Sequence, residues 1–279
     1  FRCMSVSHRI HAIRVATKRE IRSTLHGIGL YVVLSLVFLV ASYVFANTVL
    51  RNVGDAGILA LPNPVTLPLI VSTGLAAAYL GLCSSLSISR DRDLGTMEVL
   101  FYGPVDAVAY VLGKYFHQLA AYGVVLAFTL VNFYGLSVVT NVGFSLEIAG
   151  IMLLSVFLTS CMVSFGIVLS AGSRRMMVSV ILFLGFVLFF LIFSLVHAWV
   201  IGAAGRDAAS TMVYVRMIMD SLDQVIRWIS PVEYYLRGMD AVLRKDTSGY
   251  IMSAVSSLLY SAALLAVSVW MLRKKGVRR

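Results

Sequence analysis

Six stretches of this chain, near Ile28–Asn47, Leu67–Ile88, Tyr115–Val139, Ile148–Ala171, Met176–Ile201 and Tyr250–Leu272, contain no Asp, Glu, Lys or Arg. A helix needs about 20 apolar residues to cross a hydrocarbon core, and each stretch meets that length. Charged residues make up only 13% of the sequence and 59% is hydrophobic, where soluble domains carry about 25% charge. With a mean hydropathy of +0.90, the polar surface is too small to cover a water-soluble globule. The expected fold is an all-α polytopic membrane protein with six transmembrane helices.

The few charges sort along the chain as a membrane would sort them. The net charge is +10. Arg2, Arg9, Arg14, Lys18, Arg19 and Arg22 precede the first apolar run, Arg174 and Arg175 occupy the short fourth-to-fifth turn, and Arg273, Lys274, Lys275, Arg278 and Arg279 follow the last run. Arg51 is the single cation in the short loops on the other side. This asymmetry places both termini in the cytoplasm, in agreement with an even number of spans. It accounts for the basic balance without nucleic acid.

Segments outside the spans carry their own patterns. In residues 5–25, Ile10, Ile13, Thr17, Ile21 and Leu25 recur at helical spacing opposite Arg14, Lys18 and Arg22, which predicts an amphipathic helix lying on anionic lipid. A long basic segment ahead of the first apolar run is unlike a cleavable signal. In the 202–249 loop, Val215, Ile218, Leu222, Val225, Ile226 and Ile229 form an apolar stripe opposite Arg216, Asp220, Asp223 and Arg227. Ser230-Pro231-Val232-Glu233 then has the form of a capping box, with Ser230 as N-cap and Glu233 reaching back. A second helix is expected to follow, with Val232, Leu236, Met239 and Val242 on one side. Two outer helices serve either as a lid or as elements lying on lipid. The whole chain, 1–279, is expected to form a single membrane domain.

Chemistry has little to work with at depth. His117 and His197, each near a span end, are the ionisable groups within the runs, which disfavours a proton path or an intramembrane enzyme. Cys3, Cys83 and Cys161 are unclustered, and His8 and His11 lack metal-ligating companions. No catalytic or metal residue is therefore assigned. The phosphate-cradling Gly-x-x-x-x-Gly-Lys-Ser/Thr loop is missing from the sequence, so any ATP must be bound by another polypeptide.

The densest charge lies in Arg90-Asp91-Arg92-Asp93-Leu94-Gly95-Thr96-Met97-Glu98, read as a cytoplasmic loop between the second and third spans. Leu94, Met97, Leu100 and Phe101 follow helical spacing beside Asp93 and Glu98. Such an amphipathic piece suits a groove on a soluble partner. Solvation alone explains the charges of an inner loop but not the ordered apolar stripe.

The pattern Ser89-x-Asp91-x-Asp93-x-Gly95-Thr96-x-Glu98-x-Leu100, followed by Pro104-Val105 and Gly113-Lys114, resembles the signature of permease subunits of type-2 ABC exporters. Asp91 and Asp93 stand where Glu is common there, and Tyr102-Gly103 replaces the small polar residues usual before the proline. In outline the resemblance covers the whole chain: an interfacial entry helix, six spans and outer helices before the last. Ser230-Pro231 followed by Gly238-Met239-Asp240 is similar to that family's outer element.

The resemblance implies that residues 89–114 form a coupling segment docking on a separate ABC ATPase, with Asp91, Asp93, Gly95, Thr96, Glu98, Leu100, Pro104 and Val105 at the contact. ATP and Mg2+ would sit on that partner, with no cofactor in this chain. It further implies a second permease copy or paralogue, lipid surroundings, a prokaryotic cytoplasmic membrane, and a cavity lined by the second and fifth spans. Phe186, Phe189, Phe190 and Phe193 lie at helical spacing in the fifth span and suit apolar cargo; packing or lipid exposure explains them equally well. Gly74, Ala76, Ala77, Ala78 and Gly81 in the second span permit close helix approach, at a dimer seam or within the chain. The alternative function is a non-transporting membrane subunit that anchors or assembles a larger complex.

Overall fold

The computed structural model describes residues 17, 20, 21, 24, 27–54, 65–95, 106–140, 146–204 and 210–276. From Ile28 on, the described residues form eight helices in order: α1 (Ile28–Gly54), α2 (Thr66–Asp93), α3 (Ala107–Thr140), α4 (Leu146–Gly172), α5 (Met176–Ala204), α6 (Ser210–Ile229), α7 (Pro231–Leu243) and α8 (Thr247–Gly276). Among the described residues all regular structure is helical. Six of the helices, α1 to α5 and α8, are long and apolar enough to cross a membrane. Ahead of α1, Thr17, Glu20, Ile21 and Thr24 are helical. The remainder of the 5–25 segment lies outside the described residues.

Several boundaries differ from the sequence reading. Arg90 to Asp93 are the last turn of α2 rather than a loop. Cations are favoured at a helix C-terminus, where Arg90 and Arg92 sit. The helix stops two residues later, at Gly95, whose φ of +68° is the left-handed conformation that glycine adopts at low cost just past a helix end. The third span starts at Ala107 instead of Tyr115, so Lys114 joins His117 inside it. The last span runs on to Lys274 and takes in Arg273. The expectation that no span carries a charge therefore fails at the end of α2, the start of α3 and the end of α8. A hydropathy window stops at a lysine, whereas a helix continues through one whose ammonium group reaches anions.

The bundle is built around α4. Of its span, 78% is buried, against 11% for α5, and α4 packs against α2, α3, α5, α7 and α8. Beside bulky buried residues such as Ile151, Leu154 and Ile167 it carries the small or hydroxylated Ser155, Ser160, Gly166 and Ser170, which let helices approach closely where lipid supplies no hydrophobic drive. A Cβ at Gly166 would collide with Ser84 Oγ and the Gly81 carbonyl on α2. Ser84 Oγ donates to the Val163 carbonyl at 3.0 Å, and Ser170 Oγ accepts the Ile88 and Ser89 amides at 3.0 and 2.9 Å. Toward α3, hydroxyl pairs Tyr115–Ser160 and Tyr122–Ser155 meet at 2.6 Å each. Ala76, Ala77 and Gly81 are consumed by this packing within the chain, while Gly74 faces open space.

The pair α6 and α7 also departs from expectation. Ser230 is the N-cap of α7 and Pro231 opens it, but the Ser230 side chain makes no capping hydrogen bond. The buried face of α7 is Pro231, Tyr234, Tyr235, Gly238 and Ala241; of the expected apolar side, Val232 and Leu236 are exposed, while Met239 and Val242 are partly buried against the core. Gly238 has no room for a Cβ beside Leu154, so close approach set how the helix is turned. In α6 the polar side is turned to α5, where His197 Nε2 lies 3.2 Å from Asp220 and 4.0 Å from Asp223. Ile218, Leu222 and Ile229 point outward. The side chains of Val215, Arg216, Val225 and Arg227 lie outside the described residues.

Candidate functional site at the charged end of the second span

Three consecutive residues at the end of α2 each hold a different neighbouring helix. Asp91 Oδ2 accepts the Tyr110 hydroxyl at 2.5 Å and lies 3.1 Å from Lys114 Nζ, both on α3. Arg92 donates from Nη1 to the Ser173 carbonyl at 2.5 Å and from Nη2 to the Ala171 carbonyl at 3.4 Å. Its guanidinium thus satisfies the unpaired carbonyls at the C-terminus of α4. Asp93 Oδ2 accepts the Met176 amide at 2.6 Å, supplying the first turn of α5 with an acceptor and a favourable charge. A 100° turn per residue sends three adjacent side chains in three directions, which is what one helix end surrounded by three others requires.

Lys114 extends this hub to the entry helix. Its Nζ reaches Glu20 Oε1 at 2.5 Å as well as Asp91, with the side chain only 13% exposed. His117 places Nδ1 3.6 Å from Glu20 Oε2, and its Nε2 lies 2.6 Å from Thr24 Oγ1. That geometry suits the tautomer with hydrogen on Nδ1, facing the carboxylate, and Nε2 accepting the threonine hydroxyl. Thr17 Oγ1 donates to the Gly113 carbonyl at 3.4 Å. One ammonium between two carboxylates, one stage back from water, is a far stronger tie than an exposed surface pair.

Of the residues expected at the coupling contact, Asp91, Asp93 and Gly95 are brought together at this helix end. Thr96, Glu98, Leu100, Pro104 and Val105 lie outside the described residues. Glu20, Thr24, Tyr110 and Arg92 were not singled out from the sequence, and Lys114 had no role beyond its place in the pattern. A signal was present: Glu20 is the only acid in the first 54 residues, and Lys114 interrupts an otherwise apolar run.

The four phenylalanines form a ladder on α5. Ring centroids are 5.6 Å apart for Phe165–Phe186, 6.4 Å for Phe186–Phe190, 5.8 Å for Phe189–Phe190 and 6.4 Å for Phe189–Phe193. Phe193 stacks on His197 at 6.2 Å, so the ladder ends where α6 docks. Phe186 and Phe189 are exposed at the surface of the chain.

The family model described as "ABC-2 family transporter protein" matches residues 65–277. The chain belongs to the ABC-2 transporter family. It is an integral membrane protein of the permease type, and the match runs from the start of α2 through the end of α8. No curated protein matches the chain.

Proposed function

We propose that this ABC-2 permease is the membrane subunit of an ATP-driven exporter, working as a dimer with a separate ATPase subunit that carries ATP and Mg2+. The observation that carries the reading is the hub at the end of α2. A force applied to the segment after Gly95 would reach α3 through Asp91, α4 through Arg92 and α5 through Asp93. Thr96, Glu98, Leu100, Pro104 and Val105 are then the residues that meet the ATPase, and the hub transmits its movement to the spans. Both termini and the hub face the cytoplasm of a prokaryotic cell in this reading, supported by the Lys/Arg asymmetry. The Phe186, Phe189, Phe190 and Phe193 ladder lines an apolar route between two copies, which suits lipid-like or amphiphilic cargo better than a small ion.

The test is reconstitution. An ABC ATPase purified with the chain in nanodiscs should hydrolyse ATP faster than the same ATPase alone. Glu98→Ala should abolish that stimulation while leaving the complex assembled. A chain that captures no ATPase, or an E98A variant with full stimulation, would remove the coupling role and favour the anchoring alternative.

A further inference from the structure

The surface on the other side of the α4–α5 turn bears a groove that the coupling reading does not use. Its walls are Val168, Leu169, Val178, Leu182 and Met271, contributed by α4, α5 and α8, and its mouth carries Arg174 and Arg175. Both arginines are exposed, and among the described residues neither is ion-paired. The neighbouring charges offset them only in part: Asp93, held by the Met176 amide, keeps its negative charge, but Arg92, bound to neutral α4 carbonyls, adds a third cation to the same turn. The mouth is therefore cationic above an apolar trough.

The depth of that mouth is marked independently by α8. Trp270 is 59% exposed, and Lys274 Nζ lies 5.2 Å from the centre of its ring. An exposed tryptophan with a lysine one turn on marks the level where hydrocarbon gives way to headgroups. Met271, adjacent to Trp270, is in the groove wall, so Arg174 and Arg175 stand at headgroup level. On the opposite flank of α8, Val108, Leu112, Leu265, Val269 and Trp270 line a second trough with Arg273 at its rim. The same construction, apolar wall below and cation above, occurs on both sides of one helix end.

We propose that the groove between α4, α5 and α8 is a binding site for an anionic phospholipid, with an acyl chain along Val168, Val178, Leu182 and Met271 and the phosphodiester between Arg174 and Arg175. Charge complementarity selects this occupant. A second copy of the chain would have to bring an acid to the mouth, and a zwitterionic lipid offers the same phosphodiester but brings its own ammonium group, which leaves the net charge of the mouth uncompensated. Basic sites between transmembrane helices at a membrane face take anionic headgroups by this chemistry. The site makes the α4–α5 turn, already clamped from the other side by Arg92 and Asp93, responsive to bilayer composition.

Native mass spectrometry of the full chain, released from detergent after titration with dioleoyl phosphatidylglycerol or dioleoyl phosphatidylcholine, tests the assignment. The wild type should retain the anionic lipid in preference. Arg174→Gln with Arg175→Gln should reduce that retention by roughly tenfold to thirtyfold, the loss expected for two cations at a membrane surface. Arg174→Lys with Arg175→Lys should keep most of it, and Val178→Trp should block it by filling the trough. Equal retention of the two lipids, or an R174Q/R175Q variant indistinguishable from wild type, overturns the proposal. Displacement of the lipid by millimolar inorganic phosphate would make this a free-anion site instead. A change of oligomeric state in Val178→Trp would give the groove to a second copy.

Discussion

At the residue scale the hub turns on Lys114. Its ammonium lies between Asp91 and Glu20 at 3.1 and 2.5 Å, so removing it leaves two facing carboxylates partly shielded from water. Lys114→Met is expected to cost about 1–3 kcal/mol, below the value for a fully buried pair because Glu20 is 32% exposed. Replacing all three, as Lys114→Met with Asp91→Asn and Glu20→Gln, should recover most of that loss, since no uncompensated charge remains. Thermal unfolding in detergent measures both. A triple variant no more stable than K114M would show that the charges are not coupled. At Asp93 the partner is the Met176 amide, and the nearby cations Arg174 and Arg175 make sign matter. Asp93→Ala should cost about 1 kcal/mol as a lost N-terminal cap, and Asp93→Lys distinctly more, because a cation then meets the positive end of α5. Equal stability of the two variants would remove the charge from the account.

At the element scale the fold depends on how closely α2 approaches α4. Gly166 touches Ser84 and the Gly81 carbonyl so tightly that a methyl group has nowhere to go. Gly166→Ala should destabilise by about 1–3 kcal/mol or more, the usual cost of overpacking. Gly185→Ala, on α5 with open space around it, is the control and should change little. Comparable yield and melting temperature for the two would mean that the α2–α4 crossing tolerates separation. Helix α6 is held by few points. His197 meets Asp220 and Asp223, and Tyr234 and Tyr260 hydroxyls reach the Trp228 and Ile229 carbonyls at 2.9 and 2.6 Å. Combining His197→Ala with Tyr260→Phe should speed amide exchange across 210–229 while leaving α4 protected. Unchanged exchange would show that α6 is fastened by its apolar side instead.

At the scale of the whole molecule, orientation and assembly set how the spans act together. Ser221→Cys on α6 and Arg90→Cys at the end of α2 occupy exposed positions on opposite sides of the proposed topology. An impermeant thiol reagent applied to intact cells should label the first and reach the second only after permeabilisation; the reverse would invert the positive-inside assignment. The weakly buried α5, with its exposed phenylalanines, offers much apolar surface for a second copy as well as for lipid. Mass measurement of the nanodisc-held complex should give two permease chains with two ATPase chains. An active complex with one six-span chain would rule out the dimeric route.

What the sequence determined alone was the membrane class, the number of spans and the existence of two amphipathic helices before the last one. Those follow from solvent: uncharged runs of sufficient length have one stable placement in a bilayer, whatever surrounds them. The special character of residues 89–95 was also legible, because charge is rare in this chain, but that Arg90 to Asp93 continue a helix ending at Gly95 was not. Tertiary structure decided the rest. Whether Arg92 is solvated or bound to the end of α4, whether Lys114 ends a span or sits within it, and which face of α7 turns inward depend on partners far away in sequence. Of the expected apolar line, Met239 and Val242 pack against the core, while Val232 and Leu236 gave way to Tyr234, Tyr235 and Gly238, because, in lipid, burying hydrocarbon against protein gains little. Close approach and satisfied hydrogen bonds choose the packed face, and periodicity in one helix records neither.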